Sequence, residues 1–288
     1  MSVYCLGMKQ LQREKKRSDD LEGIKISNKE YRQREGVSST DLKHMVKSPA
    51  HFRYWKDNPQ EDTSALLFGR SDHKYVLEKD DFFTEFAVAP NVDRRTKEGK
   101  AEWALFEADS QGKDIITADD FEKIKAMREA LYSTPYVTKL LSGTKELSFF
   151  MEDESTGLTM KCRPDCLTDI GDAHLLIDYK SCTDATSEQF MKDAIKLMYD
   201  LQMAYYKDIL DKQRGCEHTV IFIAQEKTAP YLVNVLEANE YFIKSGRDMY
   251  RTYLDMYAEC DKSGNWYGLV NGGINTLGLP NWLQKQYE

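Results

Sequence analysis

The sequence predicts an α/β domain with a central mixed β-sheet flanked by helices, and three observations predict it. Stretches with apolar residues at helical spacing fill the first half of the chain. A meander of short β-type runs follows between residues 144 and 181. A long helical stretch, two further β-type runs and a final amphipathic helix complete the chain, an order that places helices around a sheet. No internal repeat, low-complexity block or internal linker divides residues 37–288, which are expected to form a single domain. Residues 1–36 are expected to be a polar N-terminal tail.

The elements follow in order. Residues 1–36 carry REKKRSDD and KEYRQREG and few periodic apolar positions, so they look like solvated chain or fraying helix. The basic cluster Arg13, Lys15, Lys16 and Arg17 either touches phosphates or is part of that solvated tail. At Val37 the texture changes. SSTDLKHM opens with cap-type residues and places Leu42, Met45 and Val46 at helical spacing, up to a Ser-Pro break. A second helix starts with Pro49 in its first turn and presents Phe52, Tyr54 and Trp55. Residues 63–78 form a third, with Leu66, Leu67, Tyr75 and Leu77 as expected core and Gly69 as a sign of close packing. Arg70 and His73, three apart, share a face of it. Loop and strand (FFTEFAVAP), a charged helix (TKEGKAEWALFEADS), a short strand (DIIT) and a capped helix ending before Pro135 come next. Lys97, Lys100, Lys113, Lys123 and Lys125 line a phosphate-binding surface or a plain solvated face.

TKELSFFMED reads as a strand, joined by the turn ESTG to LTMKCRPDCLT and HLLIDYKS, which the polar DIGDA connects as a β-hairpin. In a strand, residues two apart share a face, so Asp178 and Lys180 project together, and Ile177 and Tyr179 face the other way. If the hairpin strands pair, Asp165 approaches Asp178 across the ladder. Two clustered carboxylates repel unless a cation neutralises them, and hard oxygen ligands suit Mg²⁺ or Mn²⁺. A neighbouring strand brings Glu146 close to this pair. After the hairpin comes a helical stretch in two segments, where Gln202 and Tyr206, four apart, occupy one face. The strands VIFIAQE and YLVNVLE and the long helix ANEYFIKSGRDMYRTYLDMYAEC end the ordered pattern.

Composition sets the bounds. With 41% hydrophobic and 31% charged residues in 288, the chain is ordinary for a globular protein with a buried core. No run is long and apolar enough for a membrane span, and the N-terminus lacks a secretory signal pattern. Six cysteines (Cys5, Cys162, Cys166, Cys182, Cys216, Cys260) show no disulfide-scaffold spacing, so a reducing, cytoplasmic setting is expected. A net charge of −8 argues against a non-specific nucleic-acid coat protein. It leaves room for an enzyme with a local basic groove, because screening restricts what phosphates feel to nearby charge.

With Arg-Pro-Asp at 163–165, Asp-Tyr-Lys at 178–180 and Gln-x-x-x-Tyr at 202–206, the chain resembles the PD-(D/E)XK nuclease superfamily, and within it the RecE (exonuclease VIII) type of phage and prophage exonuclease. The resemblance covers roughly residues 37–288. FGRSDHKYVLE is similar to that group's Gly-Arg-x-x-His helix, with His73 at the active-site histidine; KELSFFMEDESTGLTMKCRPD is similar to its Glu-containing strand leading into Arg-Pro-Asp. Trp266-Tyr267-Gly268 and Leu279-Pro280 before Trp282 resemble its C-terminal segment. The middle acid is Asp178 where the superfamily's general formula has Glu, which fits the RecE-like branch.

The resemblance implies a restriction-endonuclease-like core and a Mg²⁺-dependent exonuclease on double-stranded DNA, with Mn²⁺ as a substitute. It implies 5′-to-3′ resection that leaves 3′ single-stranded tails, a single-strand annealing protein as partner, and a ring-shaped homo-oligomer (trimer or tetramer) in a bacterial host cell. Asp165, Asp178 and the Tyr179 backbone carbonyl would hold the metal. Glu146 would complete a second metal shell, and His73 would ligate metal or hold a water on it. Lys180 would orient or deprotonate the attacking water, with Gln202 and Tyr206 positioning the lysine, the water or the DNA. Arg70 and Arg163 are candidates for bidentate phosphate contacts or for pairing with acidic neighbours. An endonuclease on the same core and a catalytically idle DNA-binding scaffold are the alternatives. Some relatives in the superfamily hold an iron–sulfur cluster on four cysteines; none is expected here, because Cys162 and Cys166 lie four apart on one strand and no C-x-x-C pair exists.

Overall fold

A computed structural model describes residues 23–59, 62–270, 273, 274 and 276–287. Arg13, Lys15, Lys16, Arg17, Cys5 and the Trp282 side chain lie outside the described residues. The first half is helical: α1 (Asn28–Gln33), α2 (Ser39–Met45), α3 (Pro49–Asp57) and α4 (Ser64–Leu77). A 3₁₀ turn (Lys79–Asp81), α5 (Phe82–Glu85), β1 (Phe86–Val88), α6 (Lys97–Asp109), β2 (Asp114–Ile116), α7 (Ala118–Ser133) and α8 (Val137–Leu140) follow. Then come β3 (Thr144–Lys145), β4 (Phe149–Glu152), β5 (Thr159–Cys162), β6 (Cys166–Ile170), β7 (Ala173–Cys182), α9 (Ser187–Lys196) and α10 (Tyr199–Arg214). The chain closes with β8 (His218–Glu226), β9 (Val233–Glu237), α11 (Glu240–Ser263) and α12 (Asn281–Gln284).

Local chemistry explains most boundaries. Ser38 accepts from the Asp41 N–H while the Asp41 carboxylate accepts from the Ser38 N–H, which starts α2. Ser48 caps α3, whose first residue is Pro49, where a missing N–H costs nothing. The α9–α10 stretch breaks at Met198, which takes a left-handed conformation (φ 54°), so the long helical pattern does fall into two segments.

The central sheet has the order β3-β6-β7-β8-β9. β7 runs parallel to β8, and the other pairings are antiparallel. It is therefore mixed and flanked by helices, as the order of elements predicts. β7 is covered on both faces. Leu176 packs in one core with Val220, Phe222 and residues of α10 and α11, while Leu175, Ile177 and Tyr179 pack in a second with Leu131 and Leu140.

Five expectations need correction. LTMKCRPDCLT is two strands, not one: β5 pairs with β4 in a separate two-stranded sheet, and β6 pairs with β7. Arg163, Pro164 and Asp165 lie at the break, where proline cannot donate to a ladder. TKELSFFMED splits likewise into β3 and β4, with Glu146 at φ 56° between them. Leu66 is 57% exposed instead of core, and a Cβ at Gly69 would meet nothing within 4 Å; that face of α4 turns toward a groove. Finally, residues 23–36 are not a free tail: the Ile24 and Ser148 backbones exchange two hydrogen bonds of 2.9 Å, and Lys161 Nζ caps the carbonyls of Arg34 (2.6 Å) and Tyr31 (3.3 Å) at the C-terminus of α1.

Gly246 marks a close approach between two helices. A Cβ at Gly246 of α11 would fall 1.9 Å from the Asp200 carbonyl oxygen at the start of α10. Gly246→Ala forces the two helices apart and is expected to destabilise the fold by about 1–3 kcal/mol, read as a lower urea midpoint with unchanged slope.

Candidate active site

Strand alternation does the first part of the construction. Asp178 and Lys180 leave the same face of β7, just beyond buried Leu176, with Lys180 Nζ 2.6 Å from Asp178 Oδ2. Asp178 is 1% exposed, and neither of its oxygens receives a directed hydrogen bond from a described residue. Burial pushes its carboxyl up to about 6 against the pull of Lys180. Burial disfavours the Lys180 charge in turn, but Asp178 and Asp165 outweigh it and hold the ammonium above its usual range.

The breaks in the neighbouring strands bring in the other acids. Asp165 Oδ2 accepts from the Tyr179 N–H at 2.7 Å, so the acid sits beside β7 at the level of the Asp-Tyr-Lys run. The Glu146 N–H donates to the Asp165 carbonyl oxygen at 3.3 Å, which ties the two breaks together. From the opposite wall, α4 delivers His73, whose Nε2 lies 2.8 Å from Asp165 Oδ2 and whose Nδ1 lies 3.5 Å from Glu146 Oε1. One ligand atom from each of His73, Glu146 and Asp165 lies within 4.8 Å of the others. Burial opposes the His73 charge, but Asp165 and Glu146 raise the imidazole to about 9. Burial raises Asp165 as well, yet His73 more than offsets it and leaves that carboxyl below its usual value.

These residues fit a divalent cation. The donors are carboxylate oxygens and one imidazole, a set that Mg²⁺ and Mn²⁺ accept. The buried Asp178 oxygens, engaged only by the Lys180 ammonium among the described residues, leave further coordination capacity.

A second layer holds the first in place. The Tyr179 hydroxyl lies 2.8 Å from Gln225 Oε1 and 3.1 Å from Asp72 Oδ2, so the residue between the two catalytic candidates links β7 to α4 and β8. Asp72 is fully buried, and burial raises its carboxyl to about 6. Gln202 Oε1 accepts from Lys43 Nζ at 3.0 Å, and Tyr206 lines the pocket one turn further along α10. The Tyr199 ring lies 5.0 Å from the Lys180 ammonium and 5.2 Å from that of Lys43. Burial and the Lys180 charge lower Lys43 to about 8.

Seven of the predicted residues thus gather here: His73, Glu146, Asp165, Asp178, Lys180, Gln202 and Tyr206. Of the two predicted phosphate-binding arginines, Arg70 pairs with Asp62 at 2.5 Å and Asp114 at 2.9 Å, and Arg163 pairs with Glu146. The second possibility, acidic neighbours, is what the structure shows for both. Sequence reasoning passed over Lys43, Asp72, Tyr199 and the α1 wall of the pocket. Lys43 carries no motif signal, and α1 presents almost nothing apolar.

A pocket of about 580 Å³ opens over this cluster. The mixed sheet with its acid–lysine strand, facing a histidine-bearing helix across acids at strand breaks, defines the class: a PD-(D/E)XK nuclease core. The chain belongs to the family described as a PDDEXK-like domain of unknown function (DUF3799), whose model matches residues 38–270. Membership supports nuclease activity and a divalent metal, which enzymes of this kind generally use. No curated protein matches the chain. Among solved structures, a protein of Eubacterium rectale provisionally described as an exonuclease is similar in fold, with a TM-score of 0.59 at 14% identity over 90% of this chain and 97% of that one. A structure of SSO0001 overlaps with a TM-score of only 0.33 at 12% identity, over 85% of this chain and 86% of the other. No described helix is long and apolar enough to cross a membrane.

Tyr179→Phe removes the hydroxyl shared by Asp72 and Gln225 and leaves buried acceptors unpaired. The expected cost is about 1–3 kcal/mol in chemical denaturation, with Lys180 and Asp178 still present.

Proposed function

We propose that the protein is a Mg²⁺-dependent exodeoxyribonuclease acting on double-stranded DNA ends, with Mn²⁺ able to substitute. The observation that carries this reading is the convergence of His73, Glu146, Asp165 and Lys180, from four separate stretches of chain, on one pocket, with Asp178 2.6 Å from Lys180 behind it. Asp165, Asp178, the Tyr179 carbonyl, His73 and Glu146 would hold the metal. The bound cation supplies Lewis-acid stabilisation of the charge that develops on the scissile phosphate. Lys180, charged beside Asp178, orients the attacking water and donates to the negative phosphoryl oxygens. Gln202, held by Lys43, and Tyr206 position the substrate backbone near that lysine.

The finer assignments rest on the resemblance to RecE-type enzymes: 5′-to-3′ polarity, 3′ single-stranded tails, an annealing protein as partner, and a ring of three or four subunits; the cytoplasmic setting rests on the scattered cysteines. End-labelled linear duplex, labelled on each strand in turn and incubated with Mg²⁺ or chelator, tests polarity and metal dependence together. A closed circular duplex should survive; cutting of it would instead establish an endonuclease. Equal survival of linear substrate with Mg²⁺ and with chelator, using folded protein, would sink the nuclease reading.

Lys180→Gln is expected to lower cleavage about 10²-fold or more. It also strips buried Asp178 of its ion partner, so its melting temperature must be measured alongside. Asp165→Asn supplies the second variant: Mn²⁺ should raise the melting temperature of the wild type by mass action and raise that of the variant much less.

A further inference from the structure

We infer that Arg32 and Lys227, which both line the pocket, are the side chains that grip the phosphate backbone of the substrate. This rests on the nuclease reading above and deepens it. Six lysines and arginines line the pocket, and four of them are already engaged by carboxylates. Arg70 is held by Asp62 and Asp114, Lys74 by Glu78 and Glu85, Arg163 by Glu146, and Lys180 by Asp178. Arg32 and Lys227 make no ion pair with any described residue.

The difference matters energetically. A phosphate that recruits a paired guanidinium must displace a carboxylate and leave it facing the phosphate's own negative charge, so much of the attraction is lost. An unpaired cation has no such cost, and each phosphate it neutralises releases cations condensed on the DNA. Arg32 can also contact a phosphate bidentately.

Both residues are held at the rim. Arg32 sits in the last turn of α1, whose C-terminal carbonyls Lys161 caps and whose preceding segment pairs with Ser148. The Lys227 N–H donates to the Cys182 carbonyl oxygen at 3.0 Å, immediately past the end of the β7–β8 ladder that carries Lys180. The two cations therefore reach the pocket from separate elements.

Fluorescence anisotropy of a labelled linear duplex, in chelator and at increasing KCl, tests the inference without turnover. Arg32→Gln and Lys227→Gln should each weaken binding and flatten the slope of log affinity against log salt by about 0.9, with the double variant losing about twice that. Arg32→Lys should restore most of the slope, which a merely structural defect would not allow. Arg70→Gln should leave the slope unchanged. Wild-type slopes in R32Q and K227Q, or a loss confined to Arg70→Gln and Arg163→Gln, would overturn the inference while Mg²⁺-dependent cleavage by the wild type upheld the nuclease reading. A wild type that neither binds nor cleaves duplex would overturn both.

Discussion

A buried carboxylate beside a half-buried ammonium on a doubly covered strand is the constraint on which the rest of the structure depends. An isolated charge at the depth of Asp178 costs several kcal/mol, a cost that Lys180, 2.6 Å away, offsets in part. Strand alternation leaves no choice about which residues face the pocket. With Ile177 and Tyr179 committed to one core, Asp178 and Lys180 must leave the other face, where Leu176 marks the edge of the opposite core. Tyr179 adds the lateral constraint. Its hydroxyl ties β7 to Asp72 of α4, next to His73, so the strand and the helix that supply the site are fixed to each other through a buried network.

The two remaining acids follow from a shared topological event. β3 belongs to the central sheet and β4 to the small one; β5 belongs to the small sheet and β6 to the central one. Both chain segments thus change sheets, side by side, and each has its acid at the change. Asp165 follows the proline that ends β5 pairing, and Glu146 takes a left-handed backbone that a side chain adopts only at some cost. The hydrogen bond between the Glu146 N–H and the Asp165 carbonyl oxygen holds the two breaks at one level. Carboxylates in continuous strands would be spaced by the ladder; at paired breaks they can converge on His73.

How much of this was legible depended on range. Period-two alternation identified the faces of Asp178 and Lys180, because the signal lies within a few residues and both faces are constrained. The expectation for Glu146 needed only a neighbouring strand. His73 needed the resemblance, since one histidine on a helix face carries no distinguishing pattern. The sheet change at Arg163-Pro164-Asp165 was not legible: both runs are apolar enough for one strand, and partner choice is a tertiary decision. Nor was α1. It docks through the Lys161 ammonium on backbone carbonyls and an isolated bridge to Ser148, and backbone acceptors leave no trace in composition. Leu66 and Gly69 were misread for a related reason. Both suggest packing at helical spacing, and only the fold reveals that this face of α4 borders open space.

The charge of the whole chain also takes on a different meaning once the pairs are located. A net −8 would repel DNA if it were spread evenly over the surface. Within a Debye length of about 8–10 Å, however, a phosphate responds to the pocket rather than to the chain. There the acids are largely spoken for: Glu78 and Glu85 by Lys74, Glu146 by Arg163 and His73, Asp165 by His73, and Asp178 by Lys180. What an approaching polyanion meets is a nearly neutral floor, not an acidic one. Attraction then depends on the few cations not consumed in that neutralisation and on whatever cation the acids bind, and overall charge ceases to predict affinity.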